Sequence, residues 1–277
     1  MKEAREKNDN IPFSFIEEVK RKNPLVHNIT NIVVANDSAN GLLAVGASPF
    51  MSSTIEELEE VVAIADVVVL NMGTLNDEQL DAMLIAGTKA NQLNKPVVLD
   101  PVGAGATTYR KKAVLRLLEQ VHPTLIRGNA GEIAALADEK WHAKGVDAGT
   151  GSGNVRLMAE KLATQQQTFV SVSGEIDTIT DGTTSYYIKN GTSYFTKMTG
   201  AGCLNSCICG AFLAVDEKRS LESIVVGSTM YALAGELVAN ELSSLAVGSF
   251  RTLLLDKLSK LTSIEVLRKA MIEKERN

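Results

Sequence analysis

Four short apolar runs constrain the fold of this chain more than any other feature: Val67–Asn71, Val97–Asp100, Thr124–Arg127 and Thr168–Ser173. Each is too short for a buried helix and lies between segments of helical periodicity. The helical patterns cover Phe13–Lys22, Ile32–Val45, Ile55–Ala65, Asp77–Asn94, Tyr109–Gln120, Gly131–Ala137 and Asn154–Gln165. Strands alternating with helices predict an α/β fold, with a mainly parallel sheet and helices on both faces. The period then changes. Ile176–Thr180, Ser185–Lys189 and Thr192–Lys197 read as short strands punctuated by Asp181-Gly182 and Asn190-Gly191, both strong hairpin turns. These strands predict an antiparallel edge. From Leu204 onward the pattern is nearly all helical. No linker or internal repeat interrupts it, so residues 1–277 read as a single domain, with residues 1–10 a polar tail.

Three strand-to-helix junctions carry chemistry. At Met198-Thr-Gly-Ala-Gly-Cys203 a small-residue turn feeds an apolar, proline-free helix. Such a helix start binds anions, because unpaired amides and the helix dipole both point at the ligand. Cys203, read as the first helical position, would then sit beside a bound phosphate. At Val97-Val-Leu-Asp100-Pro101 a strand ends in a carboxylate, and Pro101 keeps Asp100 extended. Open α/β sheets bind ligands beyond the carboxyl ends of their strands. The third junction, Thr124-Leu-Ile-Arg127-Gly-Asn129-Ala-Gly-Glu132, brings Asn129 and Glu132 into a helix. Asn followed three residues later by Glu is also a capping box, so Glu132 has a purely structural reading. Its functional reading is a carboxylate near magnesium, which needs only one or two such groups plus substrate phosphates. Asp100 and Glu132 supply that many.

Other signals are weaker. The loop Gly145–Asn154, with four glycines, reads as a flexible connection, with covering a nucleotide as the alternative. Cys203 and Cys207 share a helix face with apolar surroundings, so both thiols read as inert core groups and not as metal ligands. The net charge of −5 argues against a nucleic-acid or anionic-membrane surface. Three cysteines, an odd count, do not make a disulfide scaffold and fit a reducing cytoplasm. No apolar run reads as a membrane span, since Val61–Met72 is broken by Asp66 and Leu204–Val215 is too short.

Taken together, Asp100-Pro-Val-Gly-Ala-Gly, Arg127-Gly-Asn-Ala-Gly-Glu132, Thr199-Gly-Ala-Gly-Cys203 and Pro24-Leu-Val-His-Asn28-Ile-Thr-Asn31 resemble the hydroxyethylthiazole kinases. These belong to the ribokinase-like superfamily and act in thiamine salvage. The likeness runs from about Pro24 to Asp256, with the motifs in the family's order. It implies a ribokinase-like three-layer sandwich and ATP-dependent phosphorylation of 4-methyl-5-(2-hydroxyethyl)thiazole, with Mg2+. By the same resemblance Asn28, Met51, Val26, Pro49 and Gly200 contact the thiazole. Arg127, Asn129 and Ser173 contact the nucleotide, Asp100 and Glu132 lie at the metal, and the Gly200, Ala201, Gly202 and Cys203 turn forms the catalytic anion hole, with Cys203 near the attacking hydroxyl as a weak general base or an orienting group. Cys203 stands where the superfamily more often has aspartate, and Leu245–Phe250 lacks a proline common in the family. The family forms homotrimers with the thiazole pocket between subunits.

Overall fold

The computed structural model describes residues 11–139, 142–144, 147–150, 154–242 and 246–276. The polar tail 1–10, most of the residues joining 145 to 153, and Leu245 lie outside the described residues.

The strands are β1 (Leu25–Ile29), β2 (Ser48–Met51), β3 (Val67–Asn71), β4 (Val97–Asp100), β5 (Leu125–Asn129), β6 (His142–Lys144), β7 (Asp147–Thr150), β8 (Phe169–Ser173), β9 (Asp177–Thr180), β10 (Thr184–Ile188) and β11 (Ile272–Arg276). The helices are α1 (Phe15–Lys22), α2 (Ala35–Val45), α3 (Leu58–Ile64), α4 (Asp77–Gln92), α5 (Thr108–Leu118), α6 (Ala130–Leu136), α7 (Val155–Gln166), α8 (Ala201–Val215), α9 (Leu221–Glu241), α10 (Val247–Lys260) and α11 (Ser263–Lys269). Nine strands form one sheet in the order β11-β10-β9-β8-β5-β4-β3-β1-β2. From β2 to β8 the pairings are parallel, and β9, β10 and β11 add an antiparallel edge.

Two apolar layers cover the sheet. Val26, Val67, Val69, Val98 and Leu125 point into one, with α1, α2 and α8 to α11. Val68, Leu70, Val97, Leu99 and Ile126 point into the other, with α3 to α7. The central strands are therefore apolar on both faces and read as unbroken Val/Ile/Leu runs, as buried parallel strands do. The sandwich and its antiparallel edge match the sequence expectation.

Several details differ. Thr192–Lys197 is not a strand, because Ser193–Lys197 winds into a 3-10 helix. The outer edge is instead β11, from a region expected to be helical, paired with β10 from Thr184↔Arg276 to Ile188↔Ile272. The alternating charges of β11 (Ile272-Glu-Lys-Glu-Arg276) suit an exposed edge strand, which charge protects from pairing with other chains. Strands β1 and β2 were hidden by polar or proline-containing sequence. Part of the Gly145–Asn154 loop is the strand β7, paired antiparallel with β6. Finally, α9 is long and apolar enough to span a bilayer, contrary to the sequence reading. It instead packs along α8 with most of its residues, from Leu221 to Val238, buried in the molecule.

Candidate active site

Alternation along the strands decides which polar residues meet. Val69, Val98 and Leu125 face α8, so Asn71, Asp100 and Arg127, two residues further on, face it too. Asn71 and Asp100 are register partners, as are Asn129 and Ser173 on β5 and β8. All lie at the carboxyl ends of parallel strands, where open α/β sheets bind ligands.

Against these ends sits the start of α8. Gly200 is its N-cap at φ 78°, with no side chain capping the helix. The helix begins at Ala201, so Cys203 is its third residue and not its first. The Ala201 amide donates to the Met198 carbonyl at 3.3 Å, and the amides of Gly202 and Cys203 have no backbone acceptor among the described residues. Two free N–H groups at a helix start form an anion site. The buried Arg127 closes it from the side, since a Cβ on Gly202 would stand 2.5 Å from Arg127 Nη1. Arg127 Nε has no partner among the described residues. Burial alone would lower the Arg127 pKa, but the carboxylates of Asp100 and Asp177 hold it above the usual guanidinium value. Tyr231 on α9 fixes the turn by donating to the Ala201 carbonyl at 2.8 Å.

Cys203 behaves unlike a thiol activated by a helix start. Burial, and then the charge of Asp100, push its pKa up to about 12. The thiol is therefore neutral at physiological pH, and the helix dipole does not overcome these two effects.

Asp100 is 1% exposed. Its Oδ2 accepts from Asn71 Nδ2 at 2.7 Å and from Ser206 Oγ at 2.8 Å. Burial raises its pKa, while Arg127, Ser206 and Asn71 pull it back. Glu132 makes a complete capping box with Asn129. Its Oε2 accepts from the Asn129 amide and its Oε1 from the Gly103 amide, each at 2.8 Å. Glu132 thus also ties the loop after Asp100 to the start of α6. Burial and the nearby Asp100 charge push its pKa up to about 7. No cluster of three or more His, Cys, Asp or Glu is present among the described residues, which excludes an all-protein metal cage there. Two neighbouring buried carboxylates, the charge of Asp100 raising the pKa of Glu132, fit magnesium, which keeps most of its waters and needs few protein ligands.

Both roles of Glu132 can be measured. Because its pKa lies above the ordinary 4.5, Glu132 contributes stability at low pH that is lost as pH rises through about 7. The melting temperature of the ligand-free protein should therefore fall between about pH 5 and pH 8, and Glu132→Gln should flatten that fall. Glu132→Ala should cost about 1–2 kcal/mol through the lost capping bonds. It should also lower turnover per folded molecule, whereas a purely structural glutamate would leave that turnover intact.

The residues matched to the thiazole lie on the same sheet face. Val26 pairs with Pro49 and Asn28 with Met51 across β1 and β2. Val26 and Asn28 are buried, while Pro49 and Met51 on the edge strand are half-buried. The Asn28 amide is bonded internally, donating to the Val26 carbonyl at 2.8 Å and accepting from Cys207 Sγ at 3.2 Å. It shapes the floor of this region with its polar groups turned inward.

On the other side of Arg127 lies a cavity of about 690 Å³. Arg127, Asn129, Ser173, Ala201 and Gly202 line it, so the nucleotide candidates and the anion hole share one space. Asp177, Asn205 and Tyr231 also line it and were missed from sequence. Burial pushes Asp177 up to about 6, against the pull of the Gly174 amide and Arg127. Its position at the start of β9, three residues after Gly174, was the one available signal.

The chain is similar to known proteins along nearly its whole length. Residues 16–264 match the model of the hydroxyethylthiazole kinase family. A hydroxyethylthiazole kinase of Listeria monocytogenes serotype 4a (strain HCC23) is 52% identical over 261 residues, covering 94% of this chain and 97% of that protein. The solved hydroxyethylthiazole kinase of Pyrococcus horikoshii OT3 superposes with a TM-score of 0.86 at 36% identity, covering 95% of this chain and 98% of that one. A ribokinase-like protein of Enterococcus faecalis V583 shares the fold at 13% identity and a TM-score of 0.63, covering 85% of this chain and 86% of that one. With the fold, the strand-end carboxylates and the α8 anion site all in place, the chain belongs to the hydroxyethylthiazole kinase family.

Proposed function

We propose that the protein transfers the γ-phosphoryl group of ATP directly to the primary hydroxyl of 4-methyl-5-(2-hydroxyethyl)thiazole. One observation carries this reading: the Arg127 guanidinium packs against Gly202 at an uncapped helix start with two free amides. Such transfer rests on positioning and on neutralising charge spread over the phosphoryl oxygens. ATP would occupy the cavity beside Ser173 and Asn129, with its terminal phosphate against Arg127 and the Gly202 and Cys203 amides. Asp100, with Glu132 beside it, would hold Mg2+, which neutralises phosphate charge when bound. The thiazole would lie over Met51 and Pro49, its hydroxyl at Cys203 and Gly200. The test is a coupled assay with ATP, Mg2+ and the thiazole alcohol, in which EDTA abolishes turnover. Efficient phosphorylation of hydroxymethylpyrimidine or a sugar, with none of the thiazole, would refute the substrate assignment.

Assembly follows from the same region. Ile32 is 81% and Val33 64% exposed, immediately before Val34, which abuts Gly200. An apolar surface beside a site on the edge strand fits a homotrimer whose neighbouring subunit completes the thiazole pocket. Light scattering should show a trimer, and a fully active monomer would rule out a shared site. The three free cysteines fit a cytoplasmic protein.

A neutral Cys203 orients the acceptor hydroxyl and does not act as a base. Cys203→Ala should therefore slow turnover by no more than about tenfold. Cys203→Asp should be active or faster. The burial and Asp100 charge that lift the thiol should lift this aspartate as well, so its rate should rise between about pH 5 and pH 8. A folded Cys203→Asp enzyme that binds both substrates but has no turnover would show that the acceptor hydroxyl is elsewhere.

A further inference from the structure

Behind Asp100 and Cys203 lies a set of amides that no catalytic role so far explains. Asn31 follows β1, Asn71 ends β3 and Gly73 follows it. Asn31 and Asn71 are almost fully buried, at 4% and 1% exposed. The orientation of each amide is fixed by a backbone donor. The Gly73 N–H donates to Asn71 at 3.0 Å, so the accepting atom must be the oxygen Oδ1. The Asn71 NH2 must then face Asp100, to which it donates at 2.7 Å. In the same way the Val34 N–H donates to Asn31 Oδ1 at 3.2 Å and turns the Asn31 NH2 inward. That NH2 donates to Asn71 Oδ1 at 2.8 Å and lies 3.5 Å from Cys203 Sγ.

The bonds have one direction. Main-chain donors pin two amides, and both amides present their hydrogens to the reacting end of the site. Asn71 and Ser206 both bond to Asp100 Oδ2, which frees Oδ1 for other partners. Asn31 donates to Cys203 Sγ, so the sulfur accepts and its own hydrogen can donate to the Asp100 carboxylate. The close approach is built in, because a Cβ on Gly73 would stand 2.5 Å from Asn31 Nδ2.

We propose that Asn71 is a positioning residue of the phosphoryl-transfer centre, orienting the Asp100 carboxylate directly and the Cys203 sulfur through Asn31. This rests on the proposed kinase reading for its effect on turnover and on geometry alone for its effect on the thiol. Without the Asn71 amide, Asp100 loses one of its two Oδ2 donors and Asn31 loses the acceptor that holds it against the sulfur. Neither change alters the thiazole contacts or the nucleotide cavity.

The experiment compares wild type, Asn71→Ala and Asn31→Ala. It measures kcat, both KM values, the Mg2+ concentration for half-maximal rate, and alkylation of Cys203 by iodoacetamide followed by mass spectrometry. Cys207 and Cys209 are fully buried, so Cys203 is the thiol that reports. Asn71→Ala should lower kcat by about tenfold or more, with both KM values within about twofold of wild type. It should also raise the Mg2+ requirement and slow Cys203 alkylation by about threefold or more, because the sulfur loses donors that favour its thiolate. Asn31→Ala should slow alkylation and lower kcat while leaving the Mg2+ requirement unchanged, because Asp100 keeps its donors. A folded Asn71→Ala protein with kcat, Mg2+ requirement and alkylation all within twofold of wild type would overturn the proposal. Should Asn71→Ala not fold, Asn31→Ala decides, and unchanged alkylation and kcat in that variant would overturn it. If wild type does not phosphorylate the thiazole, the kinase reading fails by itself, and the alkylation rates still test the network.

Discussion

Asp100→Asn should fold normally and lose more than a hundredfold in turnover. The substitution keeps the shape and an acceptor for Asn71 and Ser206, and it removes only the charge. Charge neutralisation by a metal at a transferring phosphoryl group is worth several kcal/mol, and losing about 3 kcal/mol of it is more than a hundredfold in rate. Stability should change little. The buried carboxylate carries a desolvation cost, shown by its raised pKa, which the neutral amide avoids. Against this, the buried Arg127 loses one of its facing carboxylates, while Asp177 and Glu132 remain. The two effects oppose each other, and the melting point should stay within the equivalent of about 2 kcal/mol. Paired melts and kinetics check both halves. Near-normal turnover at saturating Mg2+ would remove Asp100 from the metal site.

Gly200→Ala should damage folding and activity together. Gly200 sits at φ 78°, in the left-handed region that costs a residue with a Cβ about 1–2 kcal/mol. The new methyl would also stand 2.2 Å from Val34 Cγ1 and 2.7 Å from Val34 Cβ. That overlap must be relieved by moving Val34 or the turn, at about 1–3 kcal/mol more. Val34 precedes α2 and donates its amide to Asn31, so the shift would reach both the anion hole and the amides behind Cys203. Turnover should fall by about tenfold or more, with a clear drop in melting temperature. Adding Val34→Ala should recover only part of both losses, because it removes the overlap with Cγ1 but leaves the Cβ contact and the unfavourable φ. Wild-type stability and turnover in Gly200→Ala would mean that the turn does not hold the substrates.

The parallel strands were legible because both of their faces are buried. Such strands must be continuous Val, Ile and Leu, and Val67–Asn71 and Val97–Asp100 begin and end as read. Strand β1 escaped because Leu25-Val-His-Asn-Ile29 carries two polar residues whose partners come from elsewhere in the fold. His27 Nε2 bonds to the Ser52 carbonyl and Asn28 to Cys207. Strand β11 escaped because an edge strand with alternating charges has no apolar period to detect. Thr192–Lys197 misled because β-branched and aromatic residues favour strands locally, while Phe195 stacks on Tyr231 in a short helical turn.

The chemistry of the site was also written locally. A carboxylate before proline, an Arg-Gly-Asn turn and a glycine turn before an apolar helix are features of neighbouring residues, so the sequence by itself determined which groups arrive at the strand ends. What it could not determine depends on residues far apart in the chain. Asn71, 29 positions before Asp100, became its partner only when β3 and β4 paired. That the helix start does not ionise the Cys203 thiol was decided only when folding buried it beside Asp100. A pKa and a hydrogen-bond direction are set by solvation and charge within a few ångströms, and only the tertiary structure decides what lies within that distance.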